Sequence, residues 1–139
     1  MNIPIIDASE YFRGLLLLIR KDHRITDTES DLMKRVGKTL GFEKEFCENA
    51  IQEILENTYI EDTPPVFTAS DLAMKFIKDS LTLALSDKEV HTAEVEWLRA
   101  TAAKNGLDME WFTQELTQAR TRTVPAVQLE VDNLTIKHI

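Results

Sequence analysis

Asp22-His23-Arg24-Ile25-Thr26-Asp27-Thr28-Glu29 and Asp87-Lys88-Glu89-Val90-His91-Thr92-Ala93-Glu94 share one pattern, Asp-x-x-(Ile/Val)-x-x-x-Glu, 65 positions apart. The agreement runs outward from these stretches without a gap. Upstream, Leu16 and Leu18 fall on Leu81 and Leu83. Downstream, Leu32-Met33 falls on Trp97-Leu98, Leu40-Gly41-Phe42 on Asn105-Gly106-Leu107, Phe46 on Trp111 and Ile51 on Leu116. Each copy is too small to bury a core alone, so the two are expected to pack on each other about a pseudo-twofold axis.

Hydrophobic period and capping residues outline three helices in each copy. The first copy carries helices at about 8–21, 27–40 and 43–57, and the second at about 69–85, 92–104 and 109–120. Phe12, Leu15, Leu16 and Ile19 share one face of the first helix. Leu32, Met33, Val36 and Leu40 do so in the second, and Phe46, Ala50, Ile51, Ile54 and Leu55 in the third. Leu72, Phe76 and Leu83 mark the fourth, Val95, Leu98 and Ala102 the fifth, and Trp111, Phe112, Leu116 and Ala119 the sixth. Asp7 or Ser9 is expected to cap the first helix, and Thr68 or Ser70 the fourth. Gly41 and Gly106 stand where a helix ends in a left-handed residue. Pro64-Pro65 separates the copies.

The tail has a different period. Val127-Gln128-Leu129-Glu130-Val131 alternates apolar and polar, and residues 134–139 do so again beyond Asp132-Asn133. That pattern predicts a β-hairpin. The expected fold class is therefore all-α: two pseudo-symmetric three-helix repeats, 8–57 and 69–122, packed into one domain over residues 1–122. A β-hairpin tail is expected over residues 123–139.

The chain has 139 residues, 16 Lys plus Arg against 24 Asp plus Glu, and a net charge of −8. The length fits one domain. The acidic balance argues against nucleic acid, whose phosphates need clustered cations. The N-terminus has no basic region followed by a signal-like apolar stretch, and the longest apolar run, residues 15–19, is far short of a membrane span. No direct membrane insertion is expected. Cys47 is the only cysteine, so no intrachain disulfide forms, which fits a cytoplasmic protein.

The helix, the acidic loop motif and the x-Gly-(Phe/Leu) ending together resemble the tellurite-resistance TerB-like family, also resembled by the N-terminal domain of some membrane-anchored DnaJ-type co-chaperones. The resemblance covers about residues 12–120 and leaves out the tail. It implies an all-helical fold of two similar halves. It also implies a divalent cation such as Ca²⁺ or Mg²⁺ held by acids of the two inter-helix loops. Matched by motif position, these acids are Asp22 and Glu29 in the first half and Asp87 and Glu94 in the second. Where the family has Gly after the first Asp, this chain has His23 and Lys88. Neither loop follows the EF-hand spacing.

The same acids have a second use. Thr26-x-x-Glu29 reads as a capping box, and first-turn acids favour the helix dipole. His91 replaces Thr in the second copy. Asp79-Ser80-Leu81 matches the tripeptide of acyl carriers, but Ser80 sits inside a helical run rather than at its start. Cys47 has no local base, and His23 and His91 read as loop residues. Trp97, Trp111 and Phe112 read as core, and Arg120 and Arg122 as the close of the sixth helix.

No nucleophile–base constellation appears, so the functional reading is non-enzymatic. The chain is expected to be an interaction or sensing module with a weak divalent-metal site in its acidic loops. The alternative is a metal-free structural or adaptor protein. It would bind a protein partner, or self-associate as a homodimer, through an apolar groove or an exposed tail carrying Val127, Leu129 and Val131.

Overall fold

Among the residues described, six α-helices form within three residues of where the hydrophobic period places them. The computed structural model describes residues 2–22, 25–57, 59–85, 91–121 and 129–137, with Asp22 and 135–137 described at the backbone only. A short strand β1 (Asn2–Pro4) leads into α1 (Ile5–Ile19). A 3-10 turn (Arg20–Asp22), α2 (Asp27–Thr39) and α3 (Lys44–Glu56) follow. After the linker come α4 (Ser70–Ala84), α5 (Thr92–Lys104) and α6 (Met109–Thr121). A second 3-10 turn (Glu130–Asn133) and β2 (Thr135–Lys137) complete the described chain. The protein is predominantly helical. No described helix is long and apolar enough to cross a membrane.

Every helix boundary in the first half recurs 65 residues later. α1 and α4 start at Ile5 and Ser70, α2 and α5 at Asp27 and Thr92, and α3 and α6 at Lys44 and Met109. Their ends, Ile19 and Ala84, Thr39 and Lys104, Glu56 and Thr121, keep the same interval. The stops match as well. Gly41 and Gly106 have φ of +89° and +72°, a region open to Gly at no steric cost. Their N–H groups donate to Lys38 and Ala103 carbonyls, and the next N–H groups, of Phe42 and Leu107, donate to Gly37 and Ala102. Both helices thus close their free carbonyls by the same local device.

α1 lies at the centre, packed by α2, α3, α4 and α5. This explains its unbroken run Leu15-Leu16-Leu17-Leu18-Ile19, all of it buried. A helix apolar on every side needs neighbours on every side. α4 carries the second spine, with Leu72, Phe76, Ile77, Leu81 and Leu83 buried. Phe76 meets the rings of Tyr11, Phe67 and Trp97 at 5.4, 5.2 and 6.4 Å. Two glycines permit close approach. A Cβ on Gly14 would lie 2.7 Å from both Phe76 and Pro65, and one on Gly37 only 2.2 Å from the Cys47 sulfur.

Three expectations are corrected. Among the described residues the last strand of the tail pairs with the N-terminus: β2 runs parallel to β1, with Asn2, Ile3 and Pro4 opposite Thr135, Ile136 and Lys137. Asp132 and Asn133 belong to a 3-10 turn rather than a hairpin turn. Residues 127 and 128, which would begin the first hairpin arm, lie outside the described residues. The pairing has a simple cause, since Ile3 is buried beside the core and leaves β1 an open edge for the last strand. Leu129, Val131 and Leu134 join the same hydrophobic cluster as the helices.

The second correction concerns helix starts. α1 begins after Pro4, where the fixed ring suits an N-terminus, and α4 begins after Ala69; neither has a side-chain cap. Asp7 instead reaches across to the linker. Third, Phe46 and Leu55 do not face the core and are 53% and 42% exposed. The buried stripe of α3 is Cys47, Ile51 and Ile54. Phe46 lies one position off that stripe and leans on Phe42, 5.3 Å away.

Candidate functional site

Glu29 and Glu94, the two metal-candidate acids whose side chains are described, both sit in the first turn of a helix and both are buried. The Glu29 carboxylate accepts the Thr26 N–H at 3.0 Å, while the Thr26 hydroxyl accepts the Glu29 N–H at 3.1 Å. This is the expected capping box, complete in both directions. In the second half the Glu94 carboxylate accepts the His91 N–H at 3.1 Å. Each acid therefore has one oxygen engaged at its own helix start. Asp87 lies outside the described residues, and of Asp22 only the backbone, closing a 3-10 turn, is described. No group of three or more His, Cys, Asp or Glu gathers around one point among the described residues. Thr26→Ala should cost about 1 kcal/mol by urea denaturation, as loss of a helix cap does.

A second constellation went unnoticed in the sequence. Asp79, on α4, is only 2% exposed. Its carboxylate receives three donors: the Tyr11 hydroxyl at 2.6 Å, the Glu130 N–H at 2.6 Å and the Val131 N–H at 2.9 Å. Burial pushes its pKa up to about 6, against the pull of those hydrogen bonds, and the Glu130 charge adds to the rise. Burial also holds the Tyr11 hydroxyl well above its ordinary value, reinforced by the Asp79 charge. A signal was present. Leu72, Phe76, Asp79 and Leu83 keep helical core spacing, so an acid occupies a core position of α4.

Around this carboxylate the 3-10 turn Glu130–Asn133 is fastened like a strap between α2 and α4, and β2 continues beside β1 and α1. Arg35 on α2 pairs with Asp132, and Lys75 on α4 pairs with Glu130 at 3.3 Å. Asp132 also accepts the Leu129 N–H at 3.1 Å, which closes the 3-10 turn. Leu129, Val131 and Leu134 point inward and are buried.

The linker between the halves is seated in a comparable way against α1 and α5. Asn105 accepts the Phe67 N–H and donates to the Pro65 carbonyl, both at 2.9 Å. Trp97 donates to the Asp62 carbonyl at 2.9 Å. Arg20 and Lys21 pair with the Asp62 carboxylate. Asp7 accepts the Thr68 N–H at 3.2 Å and the Thr68 hydroxyl at 2.5 Å.

The other described candidates from the sequence sit in or against the helical framework. Cys47 is buried against Gly37, and burial pushes its thiol pKa up, with Glu48 adding to the effect. Ser80 is fully buried, as a carrier serine could not be. Trp97 and Phe112 are core, and Trp111 is partly buried against it. His91 begins α5; His23 and Arg122 lie outside the described residues. Compared with known proteins, the chain matches no family model, no curated protein and no solved structure.

Proposed function

We propose that this chain is a non-enzymatic interaction module of the TerB-like kind, built from two copies of one three-helix unit. The constant interval of 65 residues between paired helix boundaries supports the repeat. One observation carries the functional reading: residues of both halves together seat two connecting pieces of chain, the linker and the C-terminal strap. Position 14, a glycine on α1, admits Pro65 of the linker. The matching position of α4, Asp79, binds Glu130 and Val131 of the strap. A surface that holds backbone outside its α-helices by side-chain hydrogen bonds and apolar sockets is the machinery of an adaptor. The burial of Leu129 and Val131 removes them as an exposed tail surface and moves the adaptor reading to the groove beneath them.

The second reading is a divalent-cation site drawing on Asp22, Glu29, Asp87 and Glu94. The equivalent first-turn placement of Glu29 and Glu94 favours it. Thermal melting of EDTA-stripped protein separates the two readings. The metal-free module melts at the same temperature with and without millimolar Ca²⁺, Mg²⁺ or Mn²⁺. A site filled to 100 times its dissociation constant would add about 2.7 kcal/mol, roughly 8 °C for a domain of this size. An ion-selective rise that Glu29→Gln with Glu94→Gln abolishes would install the cation site instead. Gln keeps the capping oxygen, so the double variant tests ligation rather than helix stability.

A further inference from the structure

We infer that the groove between α2 and α4 is an acceptor site for a short segment of another polypeptide, patterned Leu-acid-Val-acid-x-Leu and folded into a 3-10 turn, and that residues 129–134 occupy it in cis. The inference rests on the interaction-module reading and supplies the partner's chemistry. The groove reads backbone and side chains together. Asp79 takes two successive N–H groups, those of Glu130 and Val131, so proline is excluded at both positions of a ligand. Lys75 and Arg35 flank the carboxylate and select acids at the positions of Glu130 and Asp132. Buried sockets take the apolar side chains at the positions of Leu129, Val131 and Leu134. Beyond them β1 offers its edge, to which the strap adds three residues as a parallel strand. Strand addition of this kind gives affinity through main-chain bonds and specificity through side-chain pockets.

The face of α4 beside the strap is open as well. A shallow depression of about 400 Å³, bounded by Asp71, Met74, Lys75, Lys78 and Glu130, stays open beside the strap. A tethered strap acts at an effective concentration in the millimolar range, so it outcompetes a free segment of equal affinity. The site is self-occupied until the strap is displaced.

Strap exchange tests this on the intact fold. A protease site is placed within residues 122–128, the full chain is folded, and the connection is then cut. A fluorescent peptide of residues 128–139 is added, and anisotropy follows its uptake. The cut protein should keep its helical circular dichroism and bind the peptide saturably at one per chain. Uncut protein should bind about a hundred-fold more weakly. A peptide with Glu130→Lys and Asp132→Lys should bind about ten-fold more weakly than the parent. Unfolding on cutting, no uptake, or equal uptake by cut and uncut chains overturns the inference, because the strap would then be inseparable core or the peptide would bind elsewhere. The metal melts are independent of this exchange, so the two failures are distinguishable.

Discussion

Gly37→Ala lowers stability by about 2 kcal/mol, and adding Cys47→Ala restores most of that loss. The single change should help on propensity grounds, since Ala exceeds Gly by about 1 kcal/mol in a helix interior. The packing overrides it. The new methyl would lie 2.2 Å from the Cys47 sulfur and 3.2 Å from a Phe12 ring carbon, with helices α2 and α3 on either side. Overpacking of this kind costs about 1–3 kcal/mol beyond what propensity returns. The Cys47 Cβ is 3.6 Å from the methyl position, an ordinary contact, so deleting only the sulfur makes room. Urea denaturation of the four proteins gives a coupling energy, which should favour the double variant. Additive losses would mean that the helices part rather than clash.

Acidification from pH 7 to pH 4 stabilises the wild-type protein through Asp79, and Asp79→Asn removes that gain. Burial raises the folded pKa to about 6 from an ordinary 3.8, despite three hydrogen-bond donors. The folded state then binds the proton more tightly than the unfolded state. The group's stabilising effect is fully present below pH 3.8 and is lost as pH rises through about 6. The difference is worth about 3 kcal/mol, at 1.36 kcal/mol per unit. Tyr11, Glu130, Lys75 and Arg35 with Asp132 surround the carboxylate and its strap. Asp62 acts in the opposite direction. Burial pushes it up, but the hydrogen bonds and charges of Lys21 and Arg20 outweigh burial and hold it below its ordinary range. Its contribution therefore falls away only below the ordinary carboxylate pKa of 3.8, outside the Asp79 window. Urea unfolding of both proteins across this range checks the assignment, and identical pH profiles would refute it.

The helices were legible because period and punctuation agree along most of the chain. α5 spans residues 92–104, as the sequence reading placed it, and the other helices begin and end within three residues of theirs. The Thr26–Glu29 box was legible because both partners lie within one turn. Strand pairing was not. The alternation in the tail marks strand-like residues but says nothing about their partner, and β1 is only three residues of an unremarkable N-terminus. The four helix-cap candidates Asp7, Ser9, Thr68 and Ser70 misled for a related reason. Asp7 and Thr68 do make hydrogen bonds, but with each other across 61 positions. Asp79 was hidden in plain view, since an acid at a core position looks like a break in the stripe until its donors arrive from residues 130 and 131.

The parallel pairing of β1 with β2 also sets an order of events. Asn2 meets Thr135, so this contact closes a loop spanning nearly the whole chain. Loop closure of that kind contributes late, after the local helix pairs have formed. On the ribosome the order is stricter still. Residues 129–137 leave the exit tunnel after α2 and α4, at about 5–20 residues per second. Every newly made molecule therefore passes through a moment when α2 and α4 are assembled and the Asp79 carboxylate has no backbone donor from its own chain. A segment from another protein has its first and least contested access during synthesis, before the molecule has closed upon itself.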